Sequence, residues 1–424
     1  MRPARLLISL ALSSTLATAP TAGVIVVDEA MGPGAHFEDL QEAVDAAVDG
    51  DVILVRDGTY SPCSIQAKGL VLAAEGSNAV IEAPAGAIFN FSLHSVFVRD
   101  LAPDQSVVVR GLRMNYGVQA LSCEGSVWFE ELDVTGGYGT CTLGFGDGGR
   151  VHFCDGGVTF ARCSLVGETG PTMNSSPPIA SAGLYVRETV AHVYDCSLLG
   201  GQGDSGSWGV QPGGPGLKTQ VEATVMIAGC SIAGGPGGVH ATDPCGQPSA
   251  QGGAGIYFQG TQGVIYAAAS TAVGGVADLS LLCPGQTGNA GPAFGSLTGL
   301  GTVVPMVGYA RHLSANSPVR GGETLTLDVE GQPGEIPLVL VSSRHEPLLL
   351  PNHSGSLLLG LPLEDVLVLP ALGATGTTSL SLPVPNVGAG IEALNLYLQA
   401  VFLDPSPSVW LGAGTSVLLL DAGI

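Results

Sequence analysis

The hydrophobic pattern of this chain is a line that recurs. It reads Val158-Thr159-Phe160-Ala161-Arg162-Cys163-Ser164-Leu165, then Ala191-His192-Val193-Tyr194-Asp195-Cys196-Ser197-Leu198, then Val225-Met226-Ile227-Ala228-Gly229-Cys230-Ser231-Ile232. Leu112, Leu132 and Ala269 extend the series, and the equivalent positions lie 20, 31, 33, 34 and 39 residues apart. A second line precedes the later copies: Gly183-Leu184-Tyr185-Val186, Gly216-Leu217-Lys218-Thr219 and Gly255-Ile256-Tyr257-Phe258. Its Gly stands 13 or 14 residues before the central position. Two strands and the corner between them therefore have nearly constant length. Growth is confined to residues 137–149, 167–183, 201–216, 235–255 and 275–291. This pattern predicts a solenoid of stacked coils whose insertions all leave at one corner and build a wall on one face. Neighbouring coils would be spaced by about 4.8 Å.

The two ends read differently. A short strand is expected over residues 24–27. A helix is expected over 37–48, where Phe37, Leu40, Val44 and Ala47 share one face and Gly50 is placed as its stop. A strand over 51–55 and a turn at Asp57-Gly58 follow. From about residue 302 the pattern changes to alternating or short apolar strands, such as Thr324-Leu325-Thr326-Leu327 and Leu394-Asn395-Leu396-Tyr397-Leu398. That tail predicts a small antiparallel sandwich.

The run Phe37…Leu40-Gln41-Glu42-Ala43-Val44…Ala47…Gly50-Asp51-Val52-Ile53-Leu54-Val55…Gly58-Thr59-Tyr60 resembles the entry segment of right-handed parallel β-helix proteins of the pectin-lyase-like superfamily. The resemblance implies that the helix caps the open end of the coil, and that Lys68-Gly69-Leu70-Val71-Leu72 is a first-coil strand. A cap is needed because the end of a strand stack exposes unpaired backbone. Through Tyr397-Leu398-Gln399-Ala400 and Asp404-Pro405, the tail resembles C-terminal modules of secreted proteins from planctomycete-type bacteria. The expected organisation is a signal peptide over 1–23, an all-β parallel β-helix with an N-terminal capping helix over 24–300, and a β-sandwich module over 301–424.

Composition narrows the function classes. The chain has 424 residues, of which 45% are hydrophobic and 12% charged, with 64 Gly, so a large core joined by tight turns is affordable. A net charge of −22, from 36 acids and 14 bases, argues against nucleic-acid binding, which needs clustered Lys and Arg. Arg2 and Arg5 before the apolar run 6–16 read as a secretory signal too short to span a bilayer. No later segment reads as a membrane span. Nine cysteines in an exported chain permit disulfides, and an odd number leaves at least one thiol unpaired. Cys163, Cys196 and Cys230 read as an interior ladder. Cys245 with Cys283 is the preferred disulfide between insertions, and Cys141 with Cys154 a weaker one.

Candidate chemistry sits beside the insertions. Asp147, Glu168, Asp204, Asp243 and Asp278 fall one per insertion. Stacked, they would supply oxygens to Ca²⁺, with Asp204 and Asp243 the metal candidates, or an acid–base pair for glycoside cleavage. Alternatively, they only solvate the loops. Tyr138 and Trp208 are placed to stack on sugar rings, with Asp147 and Asp278 as further ligand contacts. His240 reads as a surface residue. Lyases of the resembled superfamily use a basic residue, often with Ca²⁺. Arg150, Arg187 and Lys218 are the basic residues of the second strand line, and the family's catalytic segments are absent. Asp204, Asp243, Arg187 and Lys218 are thus the catalytic candidates. Two readings follow. One is a secreted or cell-surface, non-catalytic binding or scaffolding protein facing an extracellular polysaccharide or cell-envelope component. The other is a polysaccharide lyase or glycoside hydrolase.

Overall fold

The structure, a computed structural model, describes residues 22–83, 94–137, 146–168, 180–203, 212–238, 251–260, 263–276, 290–296, 301–350, 353, 355–388, 390–404 and 408–424. Of the segment read as a signal sequence, residues 1–21 lie outside them.

Each coil gives one strand to each of three parallel sheets, here called sheets 1, 2 and 3. A single coil shows the order: Leu184–Arg187 lies in sheet 3, Val190–Tyr194 in sheet 1 and Ser197–Leu199 in sheet 2. Sheet 1 has ten strands and the other two have eight each. The architecture is a right-handed parallel β-helix, as the repeat predicts. Its coil runs to strand Thr302–Pro305, which still pairs with sheet 1.

The register confirms the cysteine ladder and corrects its last member. Ala161, Tyr194, Ala228 and Ala268 are successive partners in sheet 1. Two residues on, Cys163, Cys196 and Cys230 stack inside the coil, each a buried free thiol. The next position is Ser270 rather than Ala269. Cys163 N donates to Cys196 Sγ at 3.3 Å, and Cys230 N donates to Ser270 Oγ at 3.1 Å, so a hydroxyl continues the sulfur row. Cys154, the weaker disulfide candidate, is also a buried free thiol; it follows the sheet 3 register beside Cys123.

Two of the three corners turn through residues in the left-handed region. Between sheets 1 and 2 these are Gly111, Glu131, Arg162, Asp195, Gly229 and Ala269. Between sheets 3 and 1 they include Asp100, Ser122, Phe153, Glu188, Val221 and Gly260. Most carry a side chain, so the coil holds them there against their own preference.

The cap helix is shorter than expected, Leu40–Ala46. Asp39 is its N-cap, accepting from Glu42 N at 3.0 Å. Phe37 lies outside the helix and bridges Val27 instead. The helix ends at Ala47 rather than at Gly50, and Lys68 Nζ binds the freed carbonyls of Val44 and Ala47 at 2.8 and 2.7 Å.

The interior is apolar along its length, with Phe129 stacked on Phe160 at 5.0 Å. Thr219 is an exception. It faces inward, 1% exposed, and its hydroxyl has no hydrogen-bond partner among the described residues. Thr219→Val keeps the shape and removes the unpaired group, so it is expected to raise stability by about 1 kcal/mol in a denaturation titration.

The C-terminal residues form a three-stranded and a five-stranded sheet with a core of their own, including Leu327, Val339, Ala400, Phe402 and Val417. Strand Val319–Arg320 pairs in parallel with the final strand, Val409–Leu420; the other pairings in these two sheets are antiparallel. A hairpin of His345–Leu350 and Gly355–Leu359 adds a third piece. The module lies on the outer face of sheet 1. Leu54, Val108, Trp128, Met226, Leu358, Tyr397 and Leu418 belong to one buried cluster across the joint.

Candidate functional site

The insertions leave where sheet 2 passes to sheet 3, all at one corner, as the spacing predicts. Gly201, Gly235 and Gly275 carry the chain out, and Gly214, Gly253 and Gly291 bring it back. Outgoing and returning arms alternate in one ladder. Gly214 N donates to Gly201 O, Gly235 N to Gly214 O, Gly253 N to Gly235 O and Gly275 N to Gly253 O, each at 2.8 Å; Gly291 N to Gly275 O is 2.7 Å. A Cβ on Gly235 would sit 2.0 Å from the Gly201 carbonyl oxygen. This close backbone approach is why the corner is written in Gly.

Sheet 3 turns its outer face to the side next to this corner. Gln119, Arg150, Tyr185, Lys218 and Tyr257 are consecutive partners along one outward row. Leu121, His152, Arg187, Gln220 and Gln259 form the row beside it. The Tyr185 ring lies between two cations: Arg150 Cζ is 5.3 Å and Lys218 Nζ 4.6 Å from its centroid. The Tyr185 hydroxyl donates to Gln220 Oε1, and His152 packs edge-on to the same ring at 4.7 Å. In the next row Arg187 lies over Phe153 at 5.0 Å and pairs with Glu188 at 3.0 Å.

Asp147 is not a solvated wall carboxylate. It is buried on the returning arm, where Oδ2 accepts from Arg150 Nη2 at 2.6 Å and from Nε at 3.0 Å. Its Oδ1 accepts from Ala182 N at 2.7 Å. Both oxygens are taken, so Asp147 positions Arg150. Lys218 has no carboxylate within ion-pair distance among the described residues. Burial, and then the Arg150 charge, hold its ammonium below the usual lysine range, against the opposing pull of Asp147. Burial likewise pulls His152 down to about 4, helped by Arg150, Arg187 and Lys218. Glu168, on the outgoing arm before the described residues resume at 180, is pushed up to about 7 by burial.

The structure therefore brings Arg150 and Lys218 together around Tyr185 and sets Arg187 one row away. Tyr138, Asp204, Trp208, His240, Asp243, Cys245, Asp278 and Cys283, and with them the Ca²⁺ candidates and the preferred disulfide, lie outside the described residues. Among the described residues no three His, Cys, Asp or Glu side chains converge as a metal site would require. Tyr185, Gln119, Gln220 and His152 belong to the site but were not singled out by their sequence. Their signal is alternation: in Gly183-Leu184-Tyr185-Val186 the Leu and Val face inward, so the Tyr must face out.

No protein-family model and no curated protein sequence matches the chain. Among solved structures, pectin methylesterase PemA from Erwinia chrysanthemi is similar, with a TM-score of 0.33 and 12% identity, over 57% of this chain and 78% of that one. This chain is a capped parallel β-helix with a β-sandwich seated on one sheet.

Proposed function

We propose that this chain is an exported, non-catalytic glycan-binding protein that holds an acidic polysaccharide of the extracellular space or cell envelope along the outer face of sheet 3. The observation that carries the reading is Lys218. A half-buried ammonium resting on an aromatic ring, with no carboxylate within ion-pair distance among the described residues, is poised for an anionic group from outside. Tyr257 flanks it along the coil axis and offers a ring face to sugars, while the buried Tyr185 ring holds the ammonium in place. Elsewhere the chain is strongly acidic, so an anionic polymer is repelled except along this row. Asp147, the carboxylate paired with Arg150 of the row, is closed off by Arg150 and Ala182, which favours holding over cleaving.

A second reading has one observation behind it. A carboxyl group with a pKa of about 7, as at Glu168, is suited to general-acid work in a glycosidase. The two readings part in one assay: incubation with a panel of acidic and neutral polysaccharides, with and without Ca²⁺, followed by measurement of unsaturated or reducing products. The binding reading expects none. Product release that disappears in Glu168→Gln would establish the hydrolase instead.

A further inference from the structure

The joint between the β-helix and the sandwich module contains a pair of buried histidines. His192 is 0% exposed on the outer face of sheet 1, and His345 is 4% exposed on the hairpin above it. His192 Nδ1 bonds Ser356 Oγ of the hairpin at 2.7 Å, and His345 Nε2 bonds Thr159 Oγ1 of sheet 1 at 3.0 Å. The two bonds cross the joint in opposite directions. The other nitrogens, His192 Nε2 and His345 Nδ1, are buried without a partner among the described residues. His345 is further enclosed by Trp128, edge-on at 4.7 Å, and Tyr397, stacked at 5.5 Å.

We propose that His192 and His345 form an acid-operated latch, closed while both are neutral, whose protonation loosens the sandwich module from sheet 1. A proton on either ring would create a buried cation with no anion among the described residues to meet it, and a second would set two cations against each other. Around the pair, Tyr194 and Tyr397 are pushed up to about 12 by burial and stay neutral. Met226, Trp128, Ser356 and Thr159 carry no charge. Glu130 is committed to Arg110 and Arg162, and Asp195 to His312. Burial alone pulls His192 down to about 4, and burial with the His192 charge pulls His345 well below its usual value.

The direction follows from these shifts. Both histidines are lowered in the closed state, so the open state binds the extra protons. Closure is complete above pH 6.5 and weakens as pH falls from there towards 4. His192 alone, lowered from 6.5 to about 4, shifts the balance about 300-fold across that window. His312 acts the other way. Its pKa is raised, first by its hydrogen bond to Asp195, so its contribution to closure is complete below about 6.5 and constant through the window. The β-helix and the sandwich each have a core separate from the joint, so release need not unfold either.

The test is small-angle scattering of the full chain from pH 7.5 to 4, with β-sheet circular dichroism recorded on the same samples. The latch predicts an increase in radius of gyration between pH 6.5 and 4 with the β-sheet signal kept, moved at least one unit to more acid by His192→Asn with His345→Gln. If the double variant does not fold, His345→Gln alone is expected to give a smaller shift in the same direction. Imidazole NMR of the unmodified chain gives an independent reading. Rings that titrate near 6.5 without a change in radius would overturn the proposal, as would an acid transition that the variants leave in place.

Discussion

Replacing Glu130 with Gln is expected to cost about 3–5 kcal/mol of stability, the usual penalty for breaking a buried ion pair from one side. Glu130 is 0% exposed and sits under the sandwich module at the centre of a charge knot. Arg110 pairs with it at 3.0 Å and Arg162 pairs with it from the neighbouring coil. Trp128 Nε1 donates to it at 2.9 Å, Thr415 Oγ1 at 2.6 Å and Ser416 N at 2.9 Å. The arginines also reach across the joint, Arg110 to Ala315 O at 3.0 Å and Arg162 to Leu313 O at 2.8 Å. Gln keeps the shape but leaves two cations facing Glu131, which is partly open to solvent. Glu131→Gln, for that reason, should cost less than about 1 kcal/mol. Denaturant midpoints of the two variants check the contrast. Burial raises the Glu130 carboxyl, but Arg110 and Arg162 outweigh it and hold the group below its usual value. Its stabilisation is therefore present above about pH 4.5 and lost as pH falls through the lowered value. That loss begins only at the acid end of the window assigned to the histidine latch and continues below it.

Gly235→Ala should be nearly as damaging, at about 3 kcal/mol or more, because the strain falls on backbone rather than on a movable side chain. The added Cβ would meet Gly201 O at 2.0 Å and Gly200 O at 2.4 Å. Gly235 is also a link in the ladder, donating to Gly214 O and accepting from Gly253 N. Forcing the arms apart breaks two bonds and displaces the insertions on either side. Gly322→Asn is the control. Gly322 has positive φ and nothing within 4 Å of its Cβ, so Asn, which tolerates that region, should change the midpoint little. Thermal unfolding of both variants measures the difference.

The coil was legible because its pattern is redundant. Fixed spacing from Gly216 to Cys230 reports two strands and a corner, whatever the side chains are. The one-residue slip at Ala269 arose because Ser270 can take the place of a sulfur, which an alignment on apolar residues does not reward. The left-handed corners were silent, since Glu131, Arg162 and Asp195 adopt there a conformation that composition assigns to Gly. The seat of the sandwich module was written but unread. Sheet 1 strands such as Val52–Val55 and Leu70–Ala74 are apolar on both faces, the mark of a sheet covered on both sides. The site was half legible. Charge type picked out Arg150, Arg187 and Lys218, but the ring between two of them follows from register, and the fate of Asp147 follows from a partner only three residues away.

The central claim is that an anionic group binds at Lys218 on the outer face of sheet 3. Isothermal titration calorimetry of the full chain at pH 7.5 tests it most directly, using an acidic and a neutral polysaccharide of matched length against the unmodified chain and Lys218→Met. The prediction is binding of the acidic polymer only, weakened about tenfold by Lys218→Met, which corresponds to about 1.4 kcal/mol for one charge-assisted contact. Equal affinity for the neutral polymer, or an acidic-polymer affinity that Lys218→Met leaves unchanged, would contradict it.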